Sequence, residues 1–159
     1  MKPVEQLVLH NPVAGHRGDC IRACLASLLE IEPEAMPNFV DNHGPMGWWD
    51  EIRRWLRDDL ARLGLHGPLD LGAVEHLDDV IQWGADQYAY AIATVQSPRG
   101  SFGHCVVVDR HGDIAHDPSP TGKLTGRAEP LGDYWVLTVP YDPYPTQIAD
   151  IDRAESEAA

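Results

Sequence analysis

The apolar residues of this chain change their spacing about halfway along. In GDCIRACLASLLEIEPEAMP, Ile21, Cys24, Leu25, Leu28 and Leu29 recur three and four apart, the period of one face of an α-helix. Asp19 stands where an N-cap is expected and Pro33 where the helix must have ended, so the pattern predicts a helix over 20–30. After a loop rich in Pro, Asn and Gly, MGWWDEIRRWLRDDLARLGL places Trp48, Ile52, Trp55, Leu56, Leu60 and Leu63 on one stripe, with Gly64 as its stop. A shorter pattern in VEHLDDVIQWG predicts a third helix ended by Gly84. From there YAYAIATVQ, HCVVVD, DIAHD and DYWVLTVP are β-branched and aromatic runs separated by turn residues, the signature of strands. Helices followed by antiparallel strands indicate an α+β fold. Pro3, Pro12, Gly15 and Gly18 make residues 1–18 an extended lead-in.

A chain of 159 residues with 43% apolar composition is long enough for one domain with its own core and short for two. That domain is expected over residues 1–146. The acidic stretch 147–159 offers little to bury and is expected to be a frayed helix or disordered. The net charge of −13 repels phosphate backbones and anionic surfaces, so neither nucleic acid nor a membrane is an expected partner. No apolar run approaches the roughly 20 residues of a spanning helix, and MKPVEQLVLHNP does not read as a secretion signal. Cys20, Cys24 and Cys105 are odd in number and suggest no disulfide framework, which fits reduced thiols in a cytoplasmic protein. Oligomeric state leaves no mark on the sequence.

Cys20 falls in the first turn of the first predicted helix. Unpaired N–H groups and the helix dipole favour a thiolate there, and the same N–H groups can hold an oxyanion. A buried structural cysteine is the competing account. Asp19 beside it would raise the thiol pKa unless its carboxylate is engaged in capping the helix. Cys24, one turn on, is expected in the core.

The segment GSFGHCVVVDRHGDIAHDPSP holds two short strands joined around Arg110, His111 and Gly112. A two-residue turn at Arg110–His111 puts His104 opposite Asp117, and one at His111–Gly112 puts them diagonal on the same face. A three-residue loop without a bulge would separate them onto opposite faces. Paired, they supply the oriented base that a cysteine nucleophile needs. The first of these registers also sets Cys105 opposite His116, although the three valines after Cys105 point to burial. Gly100 and Gly103 permit a close backbone approach, as a substrate groove requires, or are plain loop chemistry.

With these segments in place the chain resembles the papain-like cysteine peptidase superfamily, in particular its bacteriocin-leader-processing, double-glycine peptidase-like branch and small phage and bacterial proteins related to it. The matching segments are GDCIRACLASLLEIEPEAMPNF, WWDEIRRWL, SPRGSFGHCVVV and HDPSPTGKL, together spanning about residues 1 to 140. The resemblance implies a papain-like fold, a catalytic set of Cys20, His104 and Asp117, and attack on the acyl carbonyl of a peptide or protein substrate through a thioester, with no cofactor or metal. It also implies an oxyanion-hole Gln shortly before the cysteine. Gln6 lies fourteen residues upstream, and Asn11 is a nearer substitute. Gly103 and Trp48 are candidates for a groove wall, with Trp48 equally at home in the core. Three other activities stay open: an acyl transferase, a silent binding or inhibitory module, and a zinc site using Cys20, His104, His116 and Asp117, which no Cys-x-x-Cys or His-Glu-x-x-His spacing supports.

Overall fold

The computed structural model describes residues 1–64, 68–78 and 90–138. Within them the chain is α+β: helices α1 (Cys20–Leu29), α2 (Phe39–Arg54) and α3 (Leu60–Arg62) pack on strands β1 (Asp70–Val74), β2 (Tyr90–Gln96), β3 (Gly103–Asp109), β4 (Ile114–His116) and β5 (Tyr134–Thr138). The strands form one antiparallel sheet in the order β1-β5-β2-β3-β4.

Helix α1 is the centre of the fold. Apolar Ile21, Ala23, Cys24, Leu25, Ala26 and Leu29 are all buried along it, because β3 lies against one side of the helix and the lead-in segment against another. Lys2 N and Val4 N donate to Ser27 O and Ser27 Oγ at 3.0 and 2.9 Å, so Ser27, placed mid-helix, ties down the chain start. Glu30, at φ 57, closes the helix.

The second helix starts earlier than its apolar stripe suggests. Asn38 caps it, accepting from Asp41 N, and Gly44 breaks its path with φ 69 and ψ −171. A π-turn, Trp55–Asp59, joins it to α3, and Leu60 N bonds back to Trp55 O. The wider turn rotates everything after it. Ile52, Trp55, Leu56 and Leu60 are buried as expected, whereas Leu63 is 48% exposed. Trp48 stacks on Trp135 of β5 at 5.5 Å and meets Trp49 edge-on at 5.8 Å, a half-buried aromatic cluster over the sheet.

Two expectations need correction. Val74, read as the start of a third helix, ends β1, whose five residues pair with β5 from Asp70↔Thr138 to Val74↔Tyr134. Backbone pairing to a distant strand claims Val74, and helix is assigned within the predicted segment only at Leu77 and Asp78 among its described residues. The rest of that expected helix from Asp79, the first two residues of YAYAIATVQ and the 147–159 tail lie outside the described residues. The hairpin loop has three residues, Arg110 to Gly112, with Asp109 N donating to Asp113 O at 2.9 Å and Gly112 at φ 83. Val108 faces Ile114, but Val107 faces His116, so Ala115 is an extra, bulged residue. By parity the loop alone would send His104 and Asp117 to opposite faces, and the bulge returns them to one face. The same shift puts His116 across from Val107 and takes it away from Cys105.

Between the lead-in and α1 the chain makes an excursion, a short turn at Pro12–Ala14 closed by an Asn11↔His16 bridge. It returns through Gly18, at φ 87, where an added Cβ would stand 3.1 Å from His10 N. Both the left-handed conformation and the backbone crossing demand glycine. Gly18→Ala is expected to destabilise the fold by at least about 1–2 kcal/mol, read as a lower midpoint in urea unfolding with an unchanged slope.

Candidate active site

Gly18 delivers Asp19 to the N-cap of α1, where its carbonyl accepts from Ala23 N at 3.0 Å. Its carboxylate does not cap the helix as the sequence suggested. Only 1% of Asp19 is exposed, and the carboxylate accepts from Val8 N at 2.9 Å, Leu7 N at 3.3 Å and the Arg22 guanidinium through Nε at 3.0 Å and Nη2. Arg22 Nη1 reaches on to Met36 O at 3.4 Å. A charge beside the nucleophile position is thus bound by a partner one helical turn away.

Cys20 opens α1 and is half-buried. Its Sγ accepts a hydrogen bond from Cys105 N at 3.3 Å, across from β3. His104, the residue before Cys105, is 4% exposed, and its Nε2–H donates to Asp117 Oδ1 at 2.7 Å. With Nε2 so used, Nδ1 is the ring nitrogen left for the sulfur. Asp117 is held in turn by Ser119 N on Oδ1 at 2.8 Å and Leu124 N on Oδ2 at 2.7 Å. Those donors come from the loop that Pro118 and Pro120 keep out of the ladder.

The charges respond accordingly. Hydrogen bonding from Cys105 draws the Cys20 thiol well below its ordinary pKa against the opposing effect of burial, with the hydrogen bond and charge of His104 adding to the fall. Burial pulls the His104 imidazole down, but its hydrogen bond to Asp117 and its contact with Cys20 raise it to about 9. Burial also works against the Asp117 carboxylate, yet the His104 bond and the two backbone N–H groups keep its pKa below the usual range. A thiolate–imidazolium pair oriented by a carboxylate is the form these three groups favour at neutral pH.

Comparison with protein-family models, curated proteins and solved structures finds no match. What the site can do therefore rests on its geometry.

Gln6 is drawn to this place although fourteen residues separate it from Cys20. Val8 O accepts from both Asp19 N, at 3.1 Å, and Gln6 Nε2, at 3.0 Å, while Gln6 N donates to Pro118 O at 2.9 Å. The excursion over residues 9–18 absorbs the intervening length, and Gln6 bridges the chain beside the cysteine to the chain beside Asp117. It is 6% exposed, and its Oε1 is buried without a partner among the described residues. Asn11 is exposed at the far end of the excursion, its side-chain oxygen accepting from Ala14 N at 3.2 Å.

Trp48 belongs to the tryptophan cluster on β5. Gly103 is exposed at the head of β3, and an added Cβ would meet the Thr94 methyl at 2.9 Å, so cross-strand packing already requires glycine there. His116, weighed as a zinc ligand, bonds Val4 O through Nε2 at 2.7 Å. No group of three or more His, Cys, Asp or Glu suited to a metal occurs among the described residues. Cys24 is fully buried.

Three contributors escaped the sequence. Arg22 is signalled only by its i,i+3 spacing from Asp19. Cys105 was assigned to burial, and its N–H on the Cys20 sulfur has no sequence signal. His10 lies against Phe102 at 4.1 Å between ring centroids, tilted by 32°, and ties the excursion to the loop before β3.

Proposed function

We propose that the protein is a cysteine hydrolase of papain-like type that cleaves a peptide or isopeptide bond through a thioester on Cys20. The observation that carries this reading is one cluster: a cysteine at a helix N-terminus whose Sγ accepts from Cys105 N at 3.3 Å, beside a histidine whose other face is held by a buried carboxylate at 2.7 Å. The Cys20 thiolate attacks the acyl carbonyl. The oxyanion is met by the free N–H groups at the head of α1 and by the second N–H of Gln6 Nε2, whose first is committed to Val8 O. His104 protonates the departing amine, giving the thioester. Neutral imidazole then takes a proton from water, which attacks the thioester and releases Cys20 as thiolate. Asp117 keeps the ring aligned and stabilises its charged form.

The test uses amide and isopeptide substrates bearing a fluorogenic amine. Release of amine with a thioester trapped on Cys20 is expected, and Cys20→Ala is expected to abolish both. Amine release that survives in Cys20→Ala rejects the reading. Turnover is expected to hold through neutral pH and fall as pH rises through about 9, where His104 loses the proton that the leaving amine needs.

A further inference from the structure

Cys105 is a titratable neighbour of Cys20 whose side chain the proposed chemistry does not use. It sits next to His104 on β3, its N–H is on the Cys20 sulfur at 3.3 Å, and its side chain is the largest influence lowering the Cys20 thiol pKa. Thr94 Oγ1, from the neighbouring strand, lies 3.8 Å from Cys105 Sγ. Both cysteines are half-buried, whereas Cys24 is fully buried. A helix start and a strand start thus bring two half-buried cysteines from distant parts of the chain together, with a thiolate-favouring site around the first.

We infer that Cys20 and Cys105 are a modification site, a thiol pair that closes into a reversible disulfide when a hydroperoxide oxidises Cys20. The Cys20 thiolate attacks one peroxide oxygen, the O–O bond breaks, and the remaining oxygen leaves as an alcohol or water after taking a proton from solvent. Cys20 is oxidised to the sulfenic acid and the peroxide is reduced. The Cys105 sulfur then attacks the Cys20 sulfur. The S–S bond forms as the S–O bond breaks, and the departing hydroxide takes the Cys105 proton and leaves as water. The Thr94 hydroxyl is placed to donate to Cys105 sulfur as it gains negative character. The disulfide removes the nucleophile from use, yet shields it from the irreversible sulfinic and sulfonic states. The inference rests on the proposed Cys20 thiolate but on no acyl substrate.

The experiment treats the chain with a several-fold excess of hydrogen peroxide, enough to carry an unprotected thiolate past the sulfenic acid to the sulfinic acid, then measures intact mass and maps linked peptides. The expected result is a mass lower by two hydrogens, a Cys20–Cys105 link, loss of Cys20 alkylation by iodoacetamide, and recovery of that alkylation with dithiothreitol. Cys105→Ser is expected to gain oxygen atoms at Cys20 and to lose most of the alkylation that dithiothreitol restores in the unsubstituted chain. A Cys20–Cys24 or interchain link, or irreversible oxygen gain by the unsubstituted chain at the rate of Cys105→Ser, overturns the inference. The map on the unsubstituted chain decides the matter even if the variant fails to fold. A Cys20–Cys105 link in a chain that hydrolyses no amide would reject the hydrolase reading alone, and hydrolysis without the link would reject this inference alone.

Discussion

Replacing His104 with alanine is expected to slow alkylation of Cys20 by iodoacetamide near neutral pH about tenfold, since only the thiolate reacts. Hydrogen bonding from Cys105 and from His104 holds the Cys20 pKa well below 9.0, against burial. Removing the imidazole takes away one of those bonds and the positive charge, so the thiol pKa climbs back and less thiolate is present. The unsubstituted chain should react at a nearly level rate from its lowered pKa upward. The variant should show a rate that keeps rising into the alkaline range. Superimposable pH profiles for the two would remove His104 from any role in activating Cys20. The same charges set a pH window for stability. The folded pKa of His104 is raised from 6.5 to about 9, so its contribution is fully present below pH 6.5 and disappears as pH rises through about 9. Asp117 is lowered from 3.8, so its contribution is present above that value and is lost as pH falls through the folded pKa.

Replacing Arg22 with alanine is expected to destabilise the fold by about 3–5 kcal/mol, the usual cost of stranding one member of a buried ion pair. Asp19 is 1% exposed, and without the guanidinium its carboxylate keeps only the Leu7 and Val8 N–H groups. For a domain of this size the midpoint of thermal unfolding should drop by roughly 10 °C. The double variant Asp19→Asn/Arg22→Ala should be less destabilised than the sum of the single changes, because no charge is left buried. A loss below about 1 kcal/mol for Arg22→Ala in urea unfolding, the range of an exposed pair, would show that this pair does not anchor the head of α1. Because Asp19 also holds the segment carrying Gln6, Arg22→Ala is expected to weaken turnover in whatever fraction remains folded.

The parts of this protein legible in its sequence are those set by local rules. The apolar stripe from Ile21 to Leu29 defines α1, the cap position puts Cys20 at its first residue, and Gly64, at φ 68, ends the second helical run. The β-branched runs mark β2, β3 and β5 because each is a continuous local pattern. β1 was missed because its five residues become a strand only by pairing with β5, from Asp70↔Thr138 to Val74↔Tyr134, sixty or more positions away.

The site followed the same division. That His104 and Asp117 share a face depends on one bulged residue, Ala115, and a bulge is chosen by the packing of a whole sheet edge, with no composition of its own. Gln6 shares Val8 O with Asp19 N, one residue from Cys20, because residues 9–18 loop out and cross back at Gly18, and the crossing is visible only as a backbone approach. Arg22 and the Cys105 N–H owe their roles to contacts across the core. The sequence by itself determined the helix that presents Cys20 and the residue types able to activate it, since periodicity and capping act over a few residues. Only the tertiary structure decided which donors surround the sulfur, because those distances are set where a helix, a lead-in and a sheet edge pack together.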